Sequence, residues 1–281
     1  MRQGTDVPDI LDVDVVTHGR LSKDAVEYAR SKVADIGRRT QRRVLHARVR
    51  LTRHSDPAVD RPVVAQANVD MDGRLVRAQT DGANAREAID RLDSRLRRNV
   101  ARAADHWEAR RGRLPRQSEW RHQSEPTHRQ AHFPRPAAER RIVRRKSFTL
   151  EPCTVDVAAL EMDLLDYDFH LFTEKATGIA TVLYRGGPTG YRLAQVAPTP
   201  ACDLAPFVLP VTFSPHRVPC LTVGEATERL SLLDLPFLFY VDAAEGRAHV
   251  LYHRYDGHYG LITPAGEDSA VCAPSETGDG S

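Results

Sequence analysis

One stretch of this chain occurs twice. Residues 154–193 read TVDVAALEMDLLDYDFHLFTEKATGIATVLYRGGPTGYRL, residues 222–261 read TVGEATERLSLLDLPFLFYVDAAEGRAHVLYHRYDGHYGL, and the two align without a gap at an offset of 68. Identities fall on Leu164/Leu232, Leu165/Leu233, Asp166/Asp234, Phe169/Phe237, Gly178/Gly246, Val182/Val250, Tyr184/Tyr252 and Tyr191/Tyr259. This is a duplicated module. Any fold for the chain must accommodate it twice.

Each copy has the same local grammar. Thr154 and Thr222 are placed to cap a helix, with apolar residues at helical spacing behind them (Val155, Ala158, Met162 and Leu165; Ala226, Leu230 and Leu233). A strand comes next, then a turn at Gly178 or Gly246, then a β-branched and aromatic strand ending at Tyr184 or Tyr252, then a last short strand. Residues 144–150 read as an opening strand for copy one and 207–213 as one for copy two. A β-α-β-β-β unit of about 60 residues buries little core alone. It needs a partner, and Phe169, Leu171, Val182, Tyr184, Phe237, Phe239, Val250 and Tyr252 are the candidate core and pairing residues.

Charge divides the chain in two. Residues 1–146 carry 33 Lys and Arg against 20 Asp and Glu, whereas 147–281 carry 7 against 18. The basic front suits nucleic acid; the acidic back does not.

In that front half, Asp12 to Thr17 reads as a strand, and Ser22 caps a helix burying Val26, Ala29, Val33 and Ile36 that is expected to stop near Gly37. Alternation places Leu45, Ala47, Val49 and Leu51 inside on the next strand, and Val63, Ala65, Ala67, Val69 and Met71 inside on the one after. Asp72-Gly73 is a hairpin signal, Leu75 to Thr80 returns, and a long helix runs from Asn84 to about Arg111, with Trp107 on its buried side. The order β-α-β-β-β-α implies an antiparallel sheet with two helices on one face, similar in plan to double-stranded RNA-binding domains. Lys23, Arg30 and Lys32 on the first helix, and Arg86, Arg91, Arg95, Arg98 and Arg102 on the second, are candidate phosphate contacts. Arg48 and Arg50 rank behind them. Glu87 and Asp93 stand at helical spacing from Arg91 and Arg97, the pattern of a solvated charged face.

Other chemistries find little support. There is no G-x-S-x-G, P-loop, H-E-x-x-H or dinucleotide fingerprint, so no enzyme is expected. Asp166 and Asp168 read as turn residues, and His170 as the outward residue of an alternating strand. Cys153, Cys202, Cys220 and Cys272 have no metal spacing and read as inert thiols. His122, His128 and His132 are irregularly spaced, and neither metal nor cofactor is expected. No apolar run is long enough for a membrane span, and the start lacks the apolar core of a signal peptide; a cytoplasmic protein is the expectation.

Two sets of residues carry a family resemblance. DVDVVTHGRLSKDAVEYARSKVADI, the Asp72-Gly73 hairpin and TDGANAREAIDRLDSRLRRNVAR resemble the N-terminal domain of the ribosome hibernation-promoting factors. RRKSFTLEPCTVDVAALEMDLLDYDFHLF with GIATVLYR and GYRL resembles the C-terminal domain of that family's long form. The second C-terminal copy departs from that form, and with its arginine-rich composition the chain resembles an actinobacterial-type variant of it. Copy two has drifted, with Pro236 for Asp168 and His253-Arg254 for Arg185-Gly186.

The resemblance implies a translation inhibitor of stress or dormancy that occupies the decoding region of the 30S subunit, on 16S rRNA, in place of mRNA and tRNA. In the long form the single C-terminal domain pairs with its twin on another ribosome, joining two 70S particles into a 100S dimer. Here both partners lie on one chain. A short flexible tether, Ala194 to Ala205, would hold them at an effective concentration on the order of millimolar. An internal pseudo-dimer on 70S monosomes is therefore expected, against two alternatives: a homodimer that still forms 100S particles through copies exchanged between chains, and a regulatory RNA-binding protein acting away from ribosomes.

The fold class expected is α+β: a tail (1–11), a ribosome-binding domain (12–111), a basic disordered linker (112–143), copy one (144–197), copy two (204–264) and a disordered tail (265–281).

Overall fold

The computed structural model describes residues 13–40, 44–55, 59–110, 135–148 and 152–264. The chain divides into two compact units, the first holding Met1–His122 together with Met162–Tyr167 and the second holding Gln123–Glu161 and Asp168–Ser281.

The first unit is a four-stranded sheet, β1 (Val13–His18), β2 (Val44–Arg53), β3 (Val63–Met71) and β4 (Arg74–Gly82), in that spatial order, with helices α1 (Lys23–Arg39) and α2 (Ala85–Arg110). The sheet is mixed rather than antiparallel, because β1 pairs with β2 in parallel. A helix separates those two strands, and a helical crossover returns the chain in the same direction.

Ser22 caps α1 by accepting from the Ala25 N–H at 3.2 Å. The helix passes Gly37 and ends at Arg39, where the Thr40 N–H closes on the Ile36 carbonyl. Asn84 and Glu87 form a reciprocal cap at the start of α2: Asn84 Oδ1 accepts from the Glu87 N–H, and Glu87 Oε2 accepts from the Ala83 N–H, both at 2.9 Å.

The β3–β4 turn is the Asp72-Gly73 pair, both left-handed at φ 52° and 81°. Twist in such a two-residue turn matches that of the flanking strands. Ala47, Val49, Leu51, Ala65, Ala67, Val69, Val76 and Ala78 form the buried face with Val33, Ile89, Leu92 and Leu96 from the helices. Leu45, expected inside, is 51% exposed. The register slips between Val44 and His46, so Leu45 is the extra residue of a bulge and its alternation is lost. The Trp107 side chain lies outside the described residues.

The second unit holds two five-stranded sheets of matching plan. In spatial order one runs through Thr212–Phe213, Tyr191–Gln195, Ala180–Arg185, Phe169–Glu174 and Pro152–Cys153, and the other through Cys220–Leu221, Phe237–Asp242, Ala248–His253, Tyr259–Pro264 and Ile142–Phe148. The first comprises β6 (Pro152–Cys153), β7 (Phe169–Glu174), β8 (Ala180–Arg185) and β9 (Tyr191–Gln195) with α3 (Val155–Leu164). Its counterpart comprises β11 (Cys220–Leu221), β12 (Phe237–Asp242), β13 (Ala248–His253) and β14 (Tyr259–Pro264) with α4 (Val223–Leu232).

The opening strands are exchanged. β5 (Ile142–Phe148) precedes copy one yet pairs with β14 of copy two, whereas β10 (Thr212–Phe213) precedes copy two yet pairs with β9 of copy one. Each copy thus completes the other's sheet. β5 also begins inside the stretch expected to be linker, after a one-turn helix at Ala137–Glu139.

Local devices repeat across the copies. Thr222 and Glu225 make a full capping box on α4, and Thr154 Oγ1 accepts from Val157 on α3. Asp166 and Asp234 are left-handed at φ 53° and 46°, in the turns expected of Asp166. Before each glycine turn a buried carboxylate collects backbone N–H groups: Glu174 those of Ala176 and Thr177, Asp242 those of Ala244 and Glu245.

The segment joining the copies is docked rather than a flexible tether. Ala194 and Gln195 belong to β9; beyond them Ala201–Asp203 form a one-turn helix. Glu174 Oε1 accepts from the Ala205 N–H at 2.9 Å, and Asp156 of α3 accepts from the Val208 and Leu209 N–H groups at 3.0 and 2.9 Å. Leu204 and Leu209 are buried.

His170 is half-buried beside Glu161 of α3, at 3.1 Å, rather than outward. Burial, then Glu161 and Glu174, push the Cys153 thiol up to about 12, so it is protonated and unreactive at neutral pH.

Copy two contains an acid-sensitive residue that copy one lacks. His249, where copy one has Thr181, is 1% exposed, its ring edge-on to Tyr240 and its Nε2 3.1 Å from Glu245. Burial lowers its pKa below the ordinary 6.5 despite the pull of Glu245 and Asp242. The unfolded chain therefore binds the proton first. Full stability is present above about pH 6.5 and falls as pH drops toward the folded-state pKa. Glu174 acts lower: burial opposes its charge, but the bonds from Thr177, Ala205 and Ala176 outweigh that and depress its pKa, so its contribution is lost only in the acid carboxylate range. The urea midpoint of the second unit is expected to fall from pH 7 to pH 5, and His249→Thr should shrink that fall. An unchanged fall in the variant would assign it to other groups.

Candidate nucleic-acid interface

The cations proposed from sequence lie on two packed helices, and the structure sorts them. Lys32 Nζ is 3.4 Å from Asp90 and 3.6 Å from Asp93. Tyr28 donates to Asp90 as well, and these two donors, Tyr28 first, hold the Asp90 carboxyl below its usual range. Arg91 pairs with Glu87 at 2.7 Å and Arg97 with Asp93 at 2.8 Å. Arg95 is half-buried. Lys32 and Arg91 already have carboxylate partners, and such a pair offers less charge to a phosphate.

Five other candidate cations have exposed side chains. Lys23 and Arg30 are exposed on α1; Arg86, Arg98 and Arg102 are exposed on α2. The Arg86 guanidinium lies 5.0 Å from the centre of the Tyr28 ring, which orders it without neutralising it. On the sheet, Arg48 binds Asp14 at 2.7 Å and Arg50 is exposed. Guanidinium groups can take phosphate oxygens two at a time, so this helical surface can hold a polyanion by its backbone without reading sequence.

All eight pairing residues of the second unit come together. Leu171, Val182, Phe239, Ala248 and Val250 form one buried cluster spanning both copies, flanked by Phe169, Tyr184, Phe237 and Ile262. The Phe169 and Phe237 rings stack at 4.6 Å, Tyr184 meets Phe237 edge-on at 5.4 Å, and Tyr252 tilts against Phe169 at 5.7 Å. Rings in these arrangements add to the burial they already provide.

Among the described residues no group of His, Cys, Asp and Glu is arranged to hold a metal. His122, His128, His132 and Cys272 lie outside them. No helix among the described residues is long and apolar enough to cross a membrane.

Comparison with known proteins bears on both units. The family model described as Sigma 54 modulation/S30EA ribosomal protein C terminus matches twice, at residues 137–193 and 212–261, once per copy. The dormancy associated translation inhibitor of Mycobacterium tuberculosis is 37% identical over 237 residues, covering 80% of this chain and 78% of its own. The ribosome hibernation promotion factor of a Picosynechococcus strain is 23% identical over 170 residues, 60% of this chain and 88% of that protein. Among solved structures, the N-terminal domain of Thermus thermophilus Protein Y is 26% identical and covers 33% of this chain and 97% of that one, at a TM-score of 0.28. A duplicated C-terminal match and a relative aligned over four-fifths of the chain lead to one assignment: the chain belongs to the family of ribosome hibernation-promoting factors.

Proposed function

We propose that this protein silences single 70S ribosomes in stress or dormancy. The first unit binds the small subunit near the decoding region through 16S rRNA phosphates and excludes mRNA and tRNA. The second unit is a pseudo-dimer complete within one chain. The curated relatives, named for translation inhibition and for ribosome hibernation, support the general reading.

One observation carries the monosome reading. The face through which a single module would pair with another chain is filled by the chain's other copy, with strands exchanged in both directions. A second chain would have to displace two strands and a packed aromatic cluster before it could pair. The docked connector adds to that barrier.

Sucrose-gradient sedimentation of 70S ribosomes with the purified protein, blotting every fraction, tests this. Protein is expected at 70S with no 100S peak. A 100S peak would show that copies pair between chains and would overturn the monosome reading; protein remaining at the top in low salt would remove the ribosome from the account.

A further inference from the structure

The acidic second unit carries one strongly basic strip. Arg140, Arg141, Arg144, Arg145 and Lys146 fall within seven residues that contain no Asp or Glu. Strand β5 carries the last three of these cations at the edge of its sheet, and among the described residues β14 is its one strand partner. Arg141, Arg144 and Arg145 are exposed, and none of the three forms an ion pair with a described residue. The nearby carboxylates are engaged elsewhere: Glu139 with Arg135 at 3.4 Å and Asp256 with Arg254 at 2.8 Å.

The duplication supplies an internal control. β10 holds the equivalent place on the other sheet, yet it has two residues, and the segment from Ala205 to Phe213 has no charged side chain. The fold therefore completes its sheet without cations at this position. Their presence on β5 calls for a reason outside the fold.

We propose that the outer edge of β5 is an RNA-contacting surface of the second unit, taking the phosphodiester backbone of a single strand. At about 3.3 Å per residue the strip from 140 to 146 extends roughly 20 Å, with side chains alternating to either side of an open backbone edge. A positive track of this kind follows a nucleic-acid backbone without reading bases. The surface is distinct from the helical one of the first unit and does not depend on it.

The test uses the full chain carrying Arg86→Glu, Arg98→Glu and Arg102→Glu, and a labelled 20-nucleotide single-stranded RNA. Adding Arg144→Glu and Arg145→Glu should weaken binding at least tenfold and reduce the slope of log K against log salt by about 1.4, at about 0.7 per lost single-strand phosphate contact. Affinity within twofold and an unchanged slope would overturn the proposal. So would self-association of the variant with unchanged RNA affinity, which would mark the cations as guards against edge pairing. Tighter binding of polyglutamate than of RNA would overturn it in favour of an acidic protein partner. If the Glu pair lowers the melting temperature, Arg144→Gln with Arg145→Gln, which only removes charge, must still weaken RNA binding at least threefold. Should the triple-Glu background bind RNA as the unaltered chain does, the first unit's assignment fails while the β5 comparison still reads out.

Discussion

Reversing Arg86, Arg98 and Arg102 to Glu should lower affinity for 70S ribosomes by about a thousandfold and leave the fold intact. All three side chains are exposed on α2, so little packing is lost. Each reversal replaces an attraction to phosphate by a repulsion, and at about 1.4 kcal/mol or more apiece the three reach roughly 4 kcal/mol, or three decades. The unaltered chain should bind with a steep salt dependence, and the variant with a shallower one. Pelleting with 70S particles at two salt concentrations measures both. Arg91→Glu should cost much less on its own, because Arg91 is already paired with Glu87. Retained binding by the triple variant, with an unchanged melting curve, would remove α2 from the ribosome-facing surface.

Val250→Asp should unfold the second unit. Val250 is fully buried in the cluster that both copies share. The substitution removes about 1.5 kcal/mol or more of aliphatic burial and places a carboxylate in an apolar core, which costs several kcal/mol more. Against a total stability of about 5–15 kcal/mol this is a large fraction. Calorimetry of the full chain should lose the transition of the second unit and keep that of the first. Val208→Thr is the control: Val208 is 79% exposed, a neutral side chain there adds no charge beside Asp156, and its transition should move by no more than about 2 °C. A normal thermogram for Val250→Asp would mean that the shared cluster does not hold the copies together.

Features written in neighbouring residues were legible in the sequence. Ser22 caps α1, Asp72-Gly73 turns the β3–β4 hairpin, and Gly178 and Gly246 take the left-handed turns at φ 69° and 66°. The side chains that pack together in the second unit could be picked out as well, because alternation marks which of them leave a sheet on the same face. The cations on α1 and α2 could be named from the sequence as a set, but which of them have carboxylate partners could not be read for every one. Arg91 has its acid four residues back on the same helix, so its pairing was visible. Lys32 pairs with Asp90 and Asp93, residues of another helix, and only the packing of α1 on α2 brings them together.

The repeat, its offset, its caps and turns, and the split of charge between the halves come from the sequence alone, because each depends on residues a few positions apart or on composition. Strand partnership does not. The pattern of β5 says that it is a strand, yet an edge offers the same N–H and C=O groups to either sheet, and only the closing of both sheets in three dimensions assigns it to β14 and assigns β10 to β9. The exposure of the β5 cations was decided in the same way, since a strand shows its outer edge only once its inner edge has a partner.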